Sequence, residues 1–233
     1  MKSQPSLIIF DVDGVLVDTR ESFQRTTLET VQFFTGKRVT RRAWHRWKNK
    51  PGFNDDWKLS HAWVRALGKD FSYEEVKAKF VEIYWGKHGA GNVSGEKWLV
   101  PHARLQRLSK RAELAIFTGR VQAELDYTLD RWKVRKYFQT IVTVEGVQHP
   151  KPHPEGLTRI LAGREASQAI YLGDNVDDAQ AARSAGMPFL GVLARKSDER
   201  RLRGTRLRQL GALAILGDIN ELEEWLTRSK HPW

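Results

Sequence analysis

Two carboxylates separated by one residue, Asp11 and Asp13, follow directly on the apolar run Leu7-Ile8-Ile9-Phe10 and precede Gly14. At positions i and i+2 both side chains can enter one site if the backbone leaves the strand in a turn, which Gly14 permits. Two unpaired acids so placed repel one another, and a cation is expected between them. A second acidic string, Gly173-Asp174-Asn175-Val176-Asp177-Asp178, follows another apolar run. Thr118-Gly119-Arg120 follows a third, offering a hydroxyl and backbone N–H groups at an expected helix start, a combination suited to an anion. Lys151 stands between Pro150 and Pro152, in a loop that cannot be helical and so presents its ammonium from a fixed place.

These groups can meet only if strands carry them to one edge. The run at 7–10 is continuously apolar, the pattern of a strand buried on both faces, and similar runs stand at 114–117, 141–144, 169–172 and 189–193. Between them apolar residues recur at helical spacing: Leu105, Leu108 and Ala112; Leu125, Leu129 and Trp132; Leu157, Ile160 and Leu161; Ala179, Ala182 and Ala185. This alternation specifies an α/β fold, a doubly wound parallel sheet with helices on both faces and its ligand crevice beyond the strands' carboxyl ends. Residues 213–216 read as an edge strand, and Ile219, Leu222 and Leu226 as a closing helix. The alternation breaks once, between 20 and 98, where no strand candidate occurs. Phe23, Thr27, Val31 and Phe34 stripe a helix that Gly36 can stop, and further helices are expected over 40–47, 55–67 and 73–85. The expected division is a catalytic core of residues 1–19 and 99–233, with a helical cap domain of residues 20–98 inserted after the first strand.

Composition narrows the classes. The 233 residues, 40% hydrophobic, suffice for one large domain with an insert. The apolar stretches are strand-length, far below the ~18 residues that span a bilayer. No export signal opens the chain, so a cytoplasmic location is expected. Zero Cys excludes disulfides, thiol catalysis and thiolate metal sites together. An excess of 39 Lys+Arg over 28 Asp+Glu, net +11, draws anions without saying which.

In order and in strand context, Asp11-x-Asp13-Gly14-Val15, Thr118, Lys151-Pro152-x-Pro154 and Gly173-Asp174-x3-Asp178 resemble the signature of the haloacid dehalogenase superfamily of phosphohydrolases. The resemblance covers the whole chain. The helical insert looks like the type 1 cap of subfamily I, whose members include phosphoglycolate phosphatases and β-phosphoglucomutases. The resemblance implies a Mg2+-dependent phosphatase that hydrolyses a small phosphorylated metabolite through an aspartyl-phosphate intermediate. Asp11 would be the nucleophile, and Asp13 would act first as acid and then as base. Mg2+ would be held by Asp11, the backbone carbonyl of Asp13 and Asp174. Thr118, with the Gly119 N–H, would bind a phosphoryl oxygen. Lys151 would offset gathered negative charge, and Asp178 would support by bonding a metal-bound water or Lys151. Asp13 favours phosphoryl transfer over dehalogenation, because halide leaves unprotonated.

Specificity is expected from the insert. Its most unusual string is Gly52-Phe53-Asn54-Asp55-Asp56-Trp57, read either as a helix start capped by Asn54 or as a loop in which Asn54 or an acid contacts the leaving group. Arg120 is a further candidate for a substrate carboxylate or second anion. Six of nine Trp (Trp44, Trp47, Trp57, Trp63, Trp85, Trp98) fall between 20 and 98, as aromatic packing of a small helical domain requires. Basic clusters at 37–50 and 195–208 read as solvated helix faces, and neither carries a nucleic-acid motif. His149 and His153 read as surface loop residues. A monomer or homodimer without membrane or nucleic-acid partners is expected. The rivals are a phosphomutase on the same scaffold and a nucleic-acid-binding or end-processing protein using the basic clusters.

Overall fold

The apolar runs become strands and the striped segments become helices in the computed structural model, which describes residues 5–48, 50, 52–53, 55–195 and 200–229. In chain order these are β1 (Leu7–Phe10), β2 (Val17–Asp18), α1 (Phe23–Thr35), α2 (Arg41–Lys48), α3 (Asp56–Ala66), α4 (Tyr73–Trp85) and β3 (Lys97–Trp98). There follow α5 (His102–Ser109), β4 (Glu113–Phe117), α6 (Gln122–Arg131), β5 (Thr140–Val142), α7 (Glu155–Leu161), β6 (Ala169–Gly173), α8 (Val176–Ser184), β7 (Phe189–Val192), α9 (Arg200–Gln209), β8 (Ala214–Leu216) and α10 (Leu222–Arg228). The chain divides into two compact units, Met1–Val17 with Trp98–Trp233, and Asp18–Lys97.

In the larger unit six strands form one sheet in the order β5-β4-β1-β6-β7-β8, every pair parallel. Strand side chains alternate between faces, and both faces here are apolar. Ile8, Phe10, Leu114, Ile116, Ile170 and Leu172 enter one core cluster with Leu105 and Leu108 of α5, Leu125 and Leu129 of α6, and Leu222 and Leu226 of α10. Leu7, Ile9, Ala115, Phe117, Ala169 and Tyr171 enter the other with Leu157 and Ile160 of α7, Ala179 and Ala182 of α8, and Leu207 of α9. Each fully buried Leu or Ile contributes about 1.5–3 kcal/mol, so the two-sided burial anchors the sheet. The chain runs outward from β1 through β4 to β5, then returns to the other side of β1 at β6. That reversal leaves a crevice at the carboxyl ends of β1 and β6. Phe10 stands level with Ile116 and Leu172, so the residues that follow these three strands emerge together.

The smaller unit packs Val31, Leu59, Trp63, Val64 and Val76 into its own core, flanked by Phe34, Trp44, Trp47, Phe53 and Phe71. α1 ends where Gly36 turns left-handed, and α4 begins at a capping box of Ser72 and Glu75. The helix expected at 55–67 is capped by Asp55, whose side chain accepts from the N–H groups of Trp57 and Lys58. Asn54, named from the sequence as a cap or substrate contact, lies outside the described residues. β2 and β3 form a separate two-stranded sheet. At two residues each they are too short for a hydrophobic period to reveal them. Among the described residues no helix is long and apolar enough to cross a membrane.

Candidate active site

Burial of β1 delivers Asp11 to the crevice. Its N–H continues the ladder by donating to Leu172 O at 2.8 Å, which pins the backbone, and the residue is 3% exposed. The chain then turns: the carbonyl of Val12 accepts from Leu16 and Val17, and Gly14 adopts φ +75°. A β-carbon at Gly14 would lie 2.5 Å from Asp174 Oδ2, so the turn presses against the acid that follows β6. Close approach recurs at Gly173, where a β-carbon would lie 2.4 Å from that of Asp178.

Asp178 is held in place before any ligand arrives. Asn175 caps α8 and pairs with Asp178 in a capping box. Asp178 Oδ2 accepts from the backbone N–H groups of Asp174 at 3.1 Å and Asn175 at 3.2 Å. Its Oδ1 accepts from Lys151 Nζ at 2.8 Å and from the Tyr171 hydroxyl at 2.7 Å. The Lys151 ammonium donates also to Asp11 Oδ1 at 2.9 Å, with Phe117 O at 3.2 Å and the Tyr171 hydroxyl at 2.9 Å completing its shell. Asp11 Oδ2 meets no donor among the described residues.

The electrostatics follow from one ammonium among several acids. Burial raises the Asp11 pKa well above the carboxylate range; Lys151 opposes this, while Asp178, Asp13 and Asp174 add to it. Burial works against the Lys151 ammonium, but Asp11 and Asp178 outweigh it and hold its pKa above that of a free lysine. Burial, then Asp178 and Asp11, likewise push the Tyr171 phenol up, so it stays a neutral donor.

Asp11, Asp174 and Asp178 each offer an oxygen within 4.8 Å of the others, whereas the Asp13 side chain turns elsewhere. Asp13 Oδ1 accepts from Arg120 Nε at 2.8 Å and Nη2 at 2.6 Å. The Arg120 guanidinium was expected to face a substrate anion, but it lies inside the protein, 1% exposed, and also bonds Thr128 at 2.6 Å. The Thr118 hydroxyl accepts the Arg120 N–H at 3.2 Å in a tight turn after β4, and the guanidinium is held between Asp13 and Thr128 of α6. Thr118 is buried and does not open a helix; α6 starts at Gln122, whose N–H is taken by Glu145.

Two residues escaped the sequence reading. Tyr171 is the single polar side chain in Ala169–Gly173, a signal that a buried hydroxyl needs partners at that strand end. Arg203, from the basic stretch read as a solvated face, reaches Asp174 Oδ2 at 3.5 Å. Its neighbours are also tied, Arg195 to Glu221 at 2.5 Å and Arg200 to the carbonyls of Leu193 and Leu216. Lys196 lies outside the described residues.

Comparison with known proteins gives the family and the fold. The family model for haloacid dehalogenase-like hydrolases matches residues 8–192. The chain is 29% identical to a Phytophthora nicotianae protein named imidazoleglycerol-phosphate dehydratase, over 93% of this chain but 51% of that one, so it spans about half that relative's length. It is 26% identical to pyrophosphatase PpaX of Bacillus velezensis (79% of this chain, 82% of that) and 26% identical to a phosphoglycolate phosphatase of Pseudomonas savastanoi (81% and 69%). A solved structure from Thermotoga maritima described as a β-phosphoglucomutase superposes with TM-score 0.70 at 26% identity, covering 97% of this chain and 99% of that one. With the family model covering residues 8–192, and Asp11, Lys151, Asp174 and Asp178 gathered at the carboxyl end of the sheet, the chain belongs to the haloacid dehalogenase-like hydrolases.

Proposed function

We propose that the chain is a Mg2+-dependent phosphatase acting on a small phosphorylated metabolite, with Asp11 as nucleophile. The observation that carries this reading is the Lys151 ammonium, 2.9 Å from Asp11 and 2.8 Å from Asp178 in a buried acidic crevice. One ammonium among Asp11, Asp178 and Asp174 leaves the site net negative, which favours uptake of a cation, and it keeps a positive charge beside the proposed nucleophile where a phosphoryl group would sit.

The residues present fit Mg2+. The donors are all hard oxygens, and the Gly14 turn packs so closely on Asp174 that only glycine fits, which holds that carboxylate beside Asp11. Asp11, Asp174 and the Asp13 carbonyl would hold the ion, with Asp178 already saturated by four donors and serving as support. Bound there, the ion would neutralise charge on nucleophile and phosphoryl oxygens.

Asp11 Oδ2 attacks phosphorus, the bond to the leaving oxygen breaks, and Asp13 gives that oxygen its proton. Water then attacks the phosphorus of the aspartyl phosphate while Asp13 takes its proton, releasing inorganic phosphate and restoring Asp11. Arg120 fixes which Asp13 oxygen is engaged, and Lys151 offsets the charge on the transferring group. Thr118 and the Gly119 N–H receive a phosphoryl oxygen. The helical unit is proposed as the part of the chain that sets substrate selectivity.

Screening phosphorylated metabolites for kcat/KM, with phosphoglycolate and inorganic pyrophosphate included because relatives carry those names, tests the substrate class. Asp11→Asn is expected to abolish p-nitrophenyl phosphate hydrolysis with circular dichroism unchanged; retained activity refutes the mechanism. The Thermotoga likeness favours one second reading, a phosphomutase. Steady release of inorganic phosphate without a phosphosugar product dismisses it.

A further inference from the structure

The loop that carries Lys151 has a second chemical face. It reads His149-Pro150-Lys151-Pro152-His153-Pro154-Glu155, and while the lysine turns inward both imidazoles face solvent. The His153 N–H donates to Pro150 O at 3.0 Å, folding the loop back so that the two rings lie 4.7 Å apart. Glu155 joins them: its carboxylate accepts from the N–H groups of Gln148 and His149, each at 2.9 Å, and faces His149 Nδ1 at 3.0 Å. Its own N–H reaches His153 Nδ1 at 3.2 Å. One ligating atom from each of the three lies within 4.8 Å of the others.

We propose that His149, His153 and Glu155 form a Zn2+ site on the outer face of the Lys151 loop, separate from the carboxylate crevice. Two imidazole nitrogens and one carboxylate oxygen are a donor set that Zn2+ takes at ~2.0–2.2 Å and that Mg2+, a cation of oxygen ligands, does not select. Neutral imidazole keeps one ring nitrogen lone pair for the ion, and its tautomer adjusts in solvent. Three prolines in seven residues restrict the loop before the metal arrives, so ordering it costs little. Zn2+ held there closes a ring of chain around Lys151, so occupancy of the outer site restrains the residue that reaches Asp11 and Asp178.

The test titrates Zn2+ into the full chain against a metallochromic chelator, in millimolar Mg2+ to occupy the carboxylate crevice, and repeats it with a His149→Ala/His153→Ala variant. The wild type is expected to take up a Zn2+ ion that the variant binds at least about tenfold more weakly. In the wild type alone, Zn2+ is expected to slow amide exchange across residues 148–155. The variant should keep its basal p-nitrophenyl phosphate hydrolysis, because neither histidine belongs to the crevice. Equal Zn2+ affinity in the two proteins, or exchange unaltered by Zn2+, overturns the proposal whatever the chain's substrate proves to be.

Discussion

Arg120 grips Asp13 with two nitrogens on a single oxygen, Nε at 2.8 Å and Nη2 at 2.6 Å, from a guanidinium that is itself 1% exposed. The pairing orients the proposed acid and leaves its second oxygen for the reaction. Arg120→Gln is expected to lower kcat/KM for p-nitrophenyl phosphate by roughly 10- to 100-fold, mainly in kcat, the scale of lost support for an oriented group. Arg120→Lys restores charge without the two-nitrogen fork, and should recover little of the loss. A change confined to KM would instead make Arg120 a substrate contact.

Lys151 and Asp178 test the buried charge balance. Lys151→Met leaves Asp178, with 0% side-chain exposure, facing Asp11 without the ammonium between them. Removing one partner of such a pair costs ~3–5 kcal/mol, read as a lowered denaturation midpoint. Adding Asp178→Asn to Lys151→Met should return part of that stability while activity stays lost. An additive double variant would contradict the coupling.

Gly14→Ala puts a methyl group 2.5 Å from Asp174 Oδ2 on a backbone at φ +75°. The conformation alone costs ~1–3 kcal/mol for a residue with a side chain, and the methyl displaces the carboxylate. Thermal unfolding with increasing Mg2+ should show the wild type stabilised by mass action, ~2.7 kcal/mol at 100 times Kd. The Gly14→Ala variant should need more Mg2+ for the same shift. Identical Mg2+ dependence would remove Asp174 from the ion's ligands.

Glu155 sets an acid-side dependence. Backbone N–H groups of Gln148 and His149 lower its pKa to about 2. Its folded value thus lies below the unfolded one, so the ionised carboxylate stabilises the loop above pH ~4.3 and loses that contribution as pH falls toward about 2. The Tm gap between wild type and Glu155→Gln should be full at pH 7 in metal-free buffer, narrow below pH ~4.3 and close near pH 2. A gap that is constant across this range would mean the hydrogen bonds do not depend on the charge.

Much of the core was legible because both sheet faces are apolar. Runs such as 7–10 and 169–172 carry burial on two sides in the sequence itself, and β1 and β6 stand there. The order of motifs along the chain was enough to resemble the family whose model matches residues 8–192. Less visible were contacts that depend on where a long side chain finally lies. Thr118 was expected at a helix start, but its hydroxyl instead closes a turn onto Arg120 and the helix waits until Gln122.

By itself the sequence determined the parallel α/β core, its strand-end acids, its lysine loop and the absence of thiol chemistry, because burial period and residue type are local properties. Only the tertiary structure decided which charges share a crevice. It set Lys151 between Asp11 and Asp178, brought Tyr171 and Arg203 to the same edge, and turned Arg120 inward onto Asp13. Those pairings join residues as far as 140 positions apart along the chain, from Asp11 to Lys151. They exist because parallel strands in register bring separate loops to one level, a distance that no local pattern encodes.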